Sequence, residues 1–274
     1  MSSGEKSLTE VLKLAWSGKA YVFSGLAGGI LIGIFLQFSL TPQYEAKMII
    51  GSPSQSGEER SLTILNENAA SSRMMSVSSQ ISRDYTKFQQ TFREVSASRI
   101  LAKYQGLLET VNRDKLFGFS SGPQIEDAPS LSAYIKRNVT SDPLGATNSQ
   151  IITYRHPDAA FAEKFLRHLH KVTDEMIRND ARRQTETRIA YLQKALREIE
   201  NPEHRKALTD QLMLEERQMM VISMDQPFSA EIVEPASASP RPVWPRWSII
   251  LPTCILIGAF LGFLVFTIRQ DKRI

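Results

Sequence analysis

Residues 247–268 read WSIILPTCILIGAFLGFLVFTI, a run of 22 residues without a charged side chain. A second uncharged run, AYVFSGLAGGILIGIFLQFSL, covers residues 20–40 and has 21 residues. At a rise of 1.5 Å per residue, each run forms a helix of about 30 Å, the thickness of the hydrocarbon core of a bilayer. We therefore predict transmembrane helices over residues 20–40 and 247–268, which argues against a soluble cytoplasmic enzyme. An uncleaved anchor is favoured over a signal peptide, because the first run exceeds the usual apolar region of such a peptide.

The charge is distributed unevenly along the chain. The formal net charge is +4, and the 206 residues from Thr41 to Arg246 carry only +1 of it. A large domain with so little net charge lacks the electrostatic signature of a nucleic-acid-binding protein. Lysine and arginine near the two runs are biased toward the chain ends, with six on the terminal sides and three on the central sides. This bias predicts cytoplasmic termini, residues 1–19 and 269–274, and a domain of residues 41–246 outside the cytoplasm.

Short patterns within residues 41–246 predict both strands and helices. Residues 44–50 begin with alternation and end apolar, and residues 150–154 are rich in β-branched side chains, so both are predicted strands. Asp158 is placed to cap a helix that starts at Ala159. Apolar residues at helical spacing over residues 62–104 predict one or two helices, with a break near residues 71–72 or 96–98.

A long helix is predicted over residues 178–224. Its apolar seam consists of Ile189, Leu192, Leu196 and Ile199, and resumes at Leu208, Leu212, Met219 and Ile222. A straight helix of this length would measure about 70 Å. It is therefore expected to project from the membrane or to fold back at Pro202, where proline interrupts the pattern. The seam allows packing against an identical neighbour or against the helices of residues 62–104.

The residue types that carry catalysis do not converge in this sequence. Cys254 is the single cysteine and lies inside the second apolar run, where it is expected to be an apolar membrane residue. The four histidines lack metal-ligand spacing and are interpreted as solvated or lightly hydrogen-bonded: His156, His168, His170 and His204. Carboxylates alternate with arginine and lysine along the helices, as on a solvated face. We expect no catalytic residue, no cofactor and no metal site.

Small residues four apart in the apolar runs predict close packing between the two membrane helices. The residues predicted to make this contact are Gly25, Gly29, Gly33, Gly258 and Gly262. Gly28 belongs to the same flat face by position. We therefore expect the two runs to pack against each other as a pair.

The proline-rich segment EPASASPRPVWPR, residues 234–246, carries a family resemblance. Residues 242–246, followed by eleven residues and Gly258, resemble the pattern Pro-x-Ser-Pro-Lys, eleven residues and a glycine-rich run of the polysaccharide co-polymerases, the Wzz family of chain-length determinants. Trp244 replaces the serine, Arg246 replaces the lysine, and the two upstream prolines are each shifted by one. The motif residues are Pro235, Pro240, Pro242, Pro245 and Arg246. The similarity is strongest over residues 151–262, whereas residues 52–149 share only the order of elements.

Locked prolines favour extended geometry, so the segment is expected to form a stiff strut that leads to the membrane. Trp244 and Trp247 are expected to anchor it at the membrane interface. The resulting fold class is an α+β membrane protein. Two transmembrane helices flank an α/β base domain, and a long helix protrudes from that domain.

The resemblance implies a non-enzymatic regulator of polysaccharide chain length or export in the bacterial inner membrane, with its central domain in the periplasm. It implies a homo-oligomeric ring, with the bilayer, a polysaccharide polymerase and a lipid-linked glycan as partners. The polysaccharide would be O-antigen, capsule or exopolysaccharide. An activator or adaptor of a separate tyrosine kinase and a subunit of an ABC-type capsule exporter are alternatives within the family. A two-span sensor module is the alternative outside it. Only residues 269–274 follow the second run, so no kinase domain is expected in this chain.

Overall fold

The computed structural model describes residues 19–53, 83–114, 124–145 and 147–271. The chain divides into two compact units. The first contains the two apolar helices with their flanking residues and Asp114, and the second spans Tyr44–Arg113 and Pro123–Pro240. The predicted α+β fold class with two flanking apolar helices is confirmed. The predicted helix break at residues 71–72 lies outside the described residues.

The first unit is built from helices α1, Lys19–Ser39, and α8, Trp247–Asp271. Within them, Tyr21–Ser39 and Trp247–Arg269 are long and apolar enough to cross a membrane. Most of their large side chains are exposed, as expected for helices whose solvent is lipid rather than water. Pro252 lies inside α8.

The second unit contains the remaining helices and all four described strands. Its strands are β1, Tyr44–Gly51; β2, Val139–Pro143; β3, Gln150–His156; and β4, Glu231–Ala238. Its helices are α2, residues 83–91; α3, Val95–Leu101; α4, Leu107–Val111; α5, Ala128–Asn138; α6, Ala159–Glu198; and α7, Pro202–Ser223.

The four strands form one antiparallel sheet in the order β2-β3-β1-β4. Alternation in β1 buries Ala46, Met48 and Ile50 on one face, together with Ile152 and Tyr154 of β3. The helices cover this face and complete a single apolar core. The other face carries Glu45, which accepts from Arg155 at 2.9 Å and pairs with Lys47 at 3.0 Å. Burial tends to raise the pKa of Glu45, but the hydrogen bonds from these two cations hold it below its ordinary value.

Helix α6 begins where the sequence predicts a cap. The Asp158 side chain accepts from the backbone N–H groups of Ala160, at 2.9 Å, and Phe161, at 3.1 Å. The 40 residues of α6 make a helix of about 60 Å. Its first half packs on the core through Phe165, Leu166 and Leu169.

The long helix predicted over residues 178–224 is two helices. Helix α6 ends at Glu198, and α7 begins at Pro202 after the Asn201 cap and runs back along α6. Of the two alternatives at Pro202, the structure has the fold-back. The two halves of the apolar seam therefore pack against each other and form an antiparallel helical hairpin. Helix α6 also packs against the segment that contains α2 and α3.

The chain between α2 and α3 breaks at residues 92–94. The break predicted near residues 96–98 therefore lies a few residues earlier, because residues 96–98 themselves are inside α3 with Ala97 and Ser98 buried. Serine suggested a break by its propensity. In the structure, the Ser98 hydroxyl donates to the Glu94 carbonyl and is satisfied within the helix.

Candidate functional site

The two apolar helices touch backbone to backbone through glycine. A Cβ atom placed on Gly25 would overlap the carbonyl oxygen of Gly258, and one on Gly258 would overlap the carbonyl oxygen of Gly25. The same holds for Gly29 against the Cys254 carbonyl and for Gly262 against the Tyr21 carbonyl. A side chain at any of these four glycines would force the helices apart, since the atoms it meets are backbone.

The other two glycines of the predicted face differ in their surroundings. A Cβ on Gly33 would lie 3.3 Å from the Cβ of Cys254, a tight approach to a side chain. Gly28 is predicted by its position to belong to the packing face, but no described atom lies within 4 Å of a Cβ built there. Gly28 is three residues from Gly25, which rotates it out of the contact by about 60°.

Aromatic side chains close both ends of the helix pair. The Tyr21 ring lies 5.9 Å from that of Phe266, and the Arg269 guanidinium lies 5.8 Å from the Tyr21 ring centroid. At the opposite end, Phe38 meets Trp247 edge to face at 6.5 Å. Trp247 is half-exposed, so part of its ring remains free of contacts with the described residues.

The proline-rich segment divides into a strand and a loop. Pro235 lies within edge strand β4, where the pairing with β1 shifts between Lys47 and Ile49. Proline lacks an N–H donor, so an edge strand with an irregular register is where a sheet tolerates it. The stiff strut expected over residues 234–246 is therefore wrong for residues 234–238, which belong to the sheet.

The rest of the motif leads into α8 and contacts the chain that leaves α1. Gln43 N–H donates to the Trp244 carbonyl at 2.9 Å, and the Gln43 carbonyl accepts from Val243 at 2.8 Å. The Arg246 Nε donates to the Val243 carbonyl at 3.1 Å, just before α8 begins. Pro240 and Pro242 are exposed, Pro245 is half-buried, and the Trp244–Pro245 peptide bond is cis.

A cluster that sequence reasoning missed lies on helix α6. We call His170, Asp174 and Arg178 the clamp, because the three side chains, each four residues apart, hold residues 224–230 against the helix. One Asp174 carboxylate oxygen accepts from Phe228 N, at 2.9 Å, and from Ser229 N and Oγ, at 2.6 and 2.8 Å.

The other members of the clamp complete these contacts. The second oxygen of Asp174 accepts from Arg178 at 3.2 Å, and Arg178 also donates to the carbonyls of Met224, at 3.0 Å, and Gln226. His170 Nε2 donates to the Ala230 carbonyl at 2.8 Å. Burial lowers the pKa of His170, and the Ala230 hydrogen bond and the Asp174 charge offset this only in part.

Two histidines are more deeply placed than predicted. His156 and His170 are buried, so of the two predicted states, solvated or lightly hydrogen-bonded, the solvated one is wrong for them. The His156 Nδ1 accepts from the Asp158 N–H at 3.0 Å, which leaves Nε2 to donate to the Thr110 carbonyl at 3.2 Å. His168 packs against the Tyr104 ring, and His204 is exposed. Within the described ranges, no group of three His, Cys, Asp or Glu side chains is placed to hold a metal ion.

Comparisons with known proteins point to one family. The model of the Wzz family, described as chain length determinant protein, matches residues 4–104. No curated protein matches the chain. The matched residues overlap residues 52–149, for which the sequence itself shows only the family's order of secondary-structure elements.

Two solved structures resemble the chain at low identity. A full-length bacterial polysaccharide co-polymerase is 15% identical with a TM-score of 0.49, covering 97% of this chain and 98% of its own. A fragment of WzzB, a polysaccharide co-polymerase from Salmonella Typhimurium, is 14% identical with a TM-score of 0.40, covering 74% of this chain and 100% of its own. The family match over residues 4–104 confirms the predicted resemblance of this chain to the Wzz chain length determinant family.

Proposed function

We propose that this protein is a non-enzymatic regulator of the chain length of a bacterial polysaccharide, anchored in the inner membrane. The family match over residues 4–104 carries the proposal. The two apolar helices support it, since each is long enough to cross a bilayer. Residues 20–40 and 247–268 carry no charge, and the basic bias of their outer flanks favours cytoplasmic termini and a periplasmic domain of residues 41–246.

The glycine contact suits a rigid membrane anchor. In a lipid bilayer, the hydrophobic effect does not drive helices together, so the pair is held by close backbone packing. In this proposal, Gly25, Gly29, Gly258 and Gly262 keep α1 and α8 together, and Gly33 extends the contact. Trp244 and Trp247 anchor the proline-rich segment at the membrane interface, where amphipathic rings are favoured.

The working form of the protein, in this proposal, is a ring of identical subunits next to a membrane polymerase. The polymerase and its lipid-linked glycan are the partners, and the ring acts either by setting how long the polymerase stays engaged or by contacting the growing chain. The helical hairpin of α6 and α7 supports side-by-side assembly, because it presents a long surface beyond the core.

Deletion of the gene in the producing bacterium tests the proposal. We expect the polysaccharide, separated on a gel, to lose its preferred length range, and the intact gene to restore it. A matched pair of variants tests the anchor. Gly28→Leu should restore the length range and Gly25→Leu should not, because only the second introduces atoms into the helix contact. A deletion strain with an unchanged length distribution and amount would contradict the proposal.

A further inference from the structure

Helix α6 carries an open groove beyond Ile177, its last residue in the apolar core. The groove has a volume of about 370 Å³, within the range of about 300–1,000 Å³ that is usual for small-molecule sites. Its lining consists of Asp180, Arg183, Gln184, Thr187 and Arg188, and we call it the α6 groove. At about 100° per residue, Arg183 and Thr187 point about 160° away from buried Thr185. The groove therefore opens away from the buried face of the helix.

Basic side chains bring positive charge to the α6 groove. Arg183 pairs with Asp180, and Lys87 of α2 pairs with the same carboxylate at 3.7 Å. The Arg183 side chain is 77% exposed, whereas that of Asp180 is half-buried. Exposed Arg188 pairs with Glu215 of α7 at 3.7 Å, but the Glu215 side chain is only 10% exposed. The cations are therefore more accessible than the carboxylates that pair with them, and a ligand in the groove meets a positive surface.

The two guanidinium groups are held in position and keep donors for a ligand. Arg183 uses one terminal nitrogen for Asp180, and Arg188 uses one terminal nitrogen for Glu215. A guanidinium has five N–H donors in a rigid fork, so each group retains donors beyond these ion pairs. Guanidinium favours carboxylate ligands, which it binds through charge-assisted hydrogen bonds. Because both cations are already oriented, a carboxylate that binds here loses less free energy to the ordering of side chains.

Uncharged groups on the same face suit the hydroxyl groups and the ring of a sugar. The Thr187 hydroxyl donates to the Arg183 carbonyl at 2.8 Å, which leaves its lone pairs to accept from a ligand. Gln184 adds an amide with both donors and an acceptor. Tyr191, 70% exposed, lies one turn beyond Thr187, and its ring offers a rigid surface for the C–H face of a sugar. Arg183 and Tyr191 are about 12 Å apart along the helix, enough for more than one sugar.

The two helices of the hairpin differ in charge, which favours α6 for an anionic ligand. Residues 178–198 contain six basic and three acidic side chains, a net charge of +3. Residues 202–225 contain three basic and five acidic side chains, a net charge of −2. A negatively charged chain is therefore attracted to α6 and repelled by α7. A neutral chain gains nothing from this difference.

We propose that the α6 groove binds a segment of the polysaccharide whose sugars carry carboxylate groups. The inference rests on the proposed function, which supplies a glycan beside the hairpin. Arg183 and Arg188 bind the sugar carboxylates, Gln184 and Thr187 bind hydroxyl groups, and Tyr191 packs against a sugar ring. Ion pairs at exposed side chains are weak, so the segment binds reversibly and can be replaced by the next one. Of the two modes of action in the proposed function, this site supports contact with the growing chain.

Binding of defined oligosaccharides to the purified full-length protein in detergent tests this site. The probe is fluorescently labelled oligogalacturonate, and labelled dextran of the same length is the neutral comparison. We expect the acidic oligomer alone to bind, and its affinity to fall as salt rises, because salt screens exposed charges. Arg183→Gln should weaken binding about tenfold, the effect of one lost charge-assisted hydrogen bond, and Tyr191→Ala should weaken it further. Arg205→Gln is the control, because Arg205 is an exposed cation of α7, and it should leave the affinity unchanged.

Three results would overturn the inference. Equal binding of dextran would remove the role of the sugar carboxylates. Equal losses in Arg183→Gln and Arg205→Gln would mean that the oligomer responds only to net charge. Equal affinity for single-stranded DNA of matched charge would mean that the groove binds polyanions without regard to sugar. The deletion strain separates these failures from that of the proposed function. A lost length range without oligosaccharide binding contradicts the groove alone, whereas an unchanged length range contradicts the proposed function whatever the groove binds.

Discussion

The glycine contact and the clamp use the same helical spacing with opposite chemistry. Gly25, Gly29 and Gly33 repeat every four residues on α1, as His170, Asp174 and Arg178 do on α6. Between the apolar helices, glycine has no side chain, and the two backbones therefore come into direct contact. In the second unit, polar side chains reach across and satisfy the backbone of residues 224–230. A four-residue spacing therefore places residues on one face of a helix in both cases. Whether that face packs through glycine or through hydrogen-bonding side chains depends on the residues opposite it.

The strongest test of the polar side of this comparison is Asp174→Ala. Its carboxylate is 7% exposed and pairs with half-buried Arg178, so its removal leaves that cation without its counter-charge and two backbone N–H groups without an acceptor. We expect a loss of about 3–5 kcal/mol of unfolding free energy. Denaturant unfolding in detergent measures it, and hydrogen exchange at residues 228 and 229 should rise. Glu175→Ala is the control, because Glu175 is exposed and its pairing with Lys171 is loose, at 3.8 Å. Equal effects of the two variants would contradict the role of the clamp.

The apolar side is tested by Gly25→Leu against Gly28→Leu. The first forces atoms into the Gly258 backbone and should cost about 1–3 kcal/mol of helix packing, whereas the second has free space. Proximity of the helices is read from a Gly33→Cys variant. Its new Cβ lies 3.3 Å from that of native Cys254, close to disulfide spacing. We expect oxidation to link the two helices with Gly28→Leu present and to fail with Gly25→Leu. Linking in both would show that the glycine contact is dispensable.

The pH dependence of the second unit is a smaller effect. Burial lowers the pKa of His170 below the ordinary 6.5, so the unfolded chain binds a proton that the folded chain resists. Stability is therefore full above pH 6.5 and falls as the pH drops below it, by at most about 1.4 kcal/mol per pH unit for one group. The depressed pKa of Glu45 adds a further loss at lower pH. Urea titrations at several pH values from about 7.5 to about 5 measure the slope of unfolding free energy against pH. This range brackets the ordinary pKa of histidine. His170→Gln should flatten it above the range of the carboxylates, and an unchanged slope in that variant would assign the effect elsewhere.

The smallest expected change is Gly33→Ala. The added methyl group meets the Cys254 side chain at 3.3 Å, which needs only a slight adjustment. We expect a change within about 0.5 kcal/mol. Thermal unfolding in detergent measures the loss of stability in Gly33→Ala and in Gly25→Ala. The difference between the two losses shows whether Gly33 belongs to the close backbone contact. A Gly33→Ala loss as large as that of Gly25→Ala would extend the rigid contact by one further turn.

Local sequence patterns predicted much of this fold. The two uncharged runs, the strand that starts at Tyr44 and the Asp158 cap all coincide with elements of the structure. Each of these elements is determined by residues close together in the chain. The signals are a continuous apolar run, alternation of apolar and polar residues, and a capping side chain. The fold-back at Pro202 was one of two alternatives, because proline ends a helix without fixing the direction of the next one.

The missed features depend on residues far apart in the chain. Strand β4 contains Pro235 and two glutamates and has little strand propensity, so its pairing with β1 is visible only in the sheet. The clamp joins residues some fifty positions apart, and a buried aspartate is not distinguishable in sequence from a solvated one. The four-residue spacing of His170, Asp174 and Arg178 was the available signal, because it places polar groups on the face that also carries buried Leu166 and Ile177.

The backbone pairing of Gln43 with Val243 and Trp244 makes residues 44–242 an insertion whose entry and exit are already joined. The chain therefore leaves and re-enters the first unit at adjacent positions, so a replacement domain joined at these two positions needs only to bring its own ends together. Asp114, which accepts from the Gln43 side chain at 3.1 Å, is the residue of the exchanged segment whose loss such a fusion would have to tolerate.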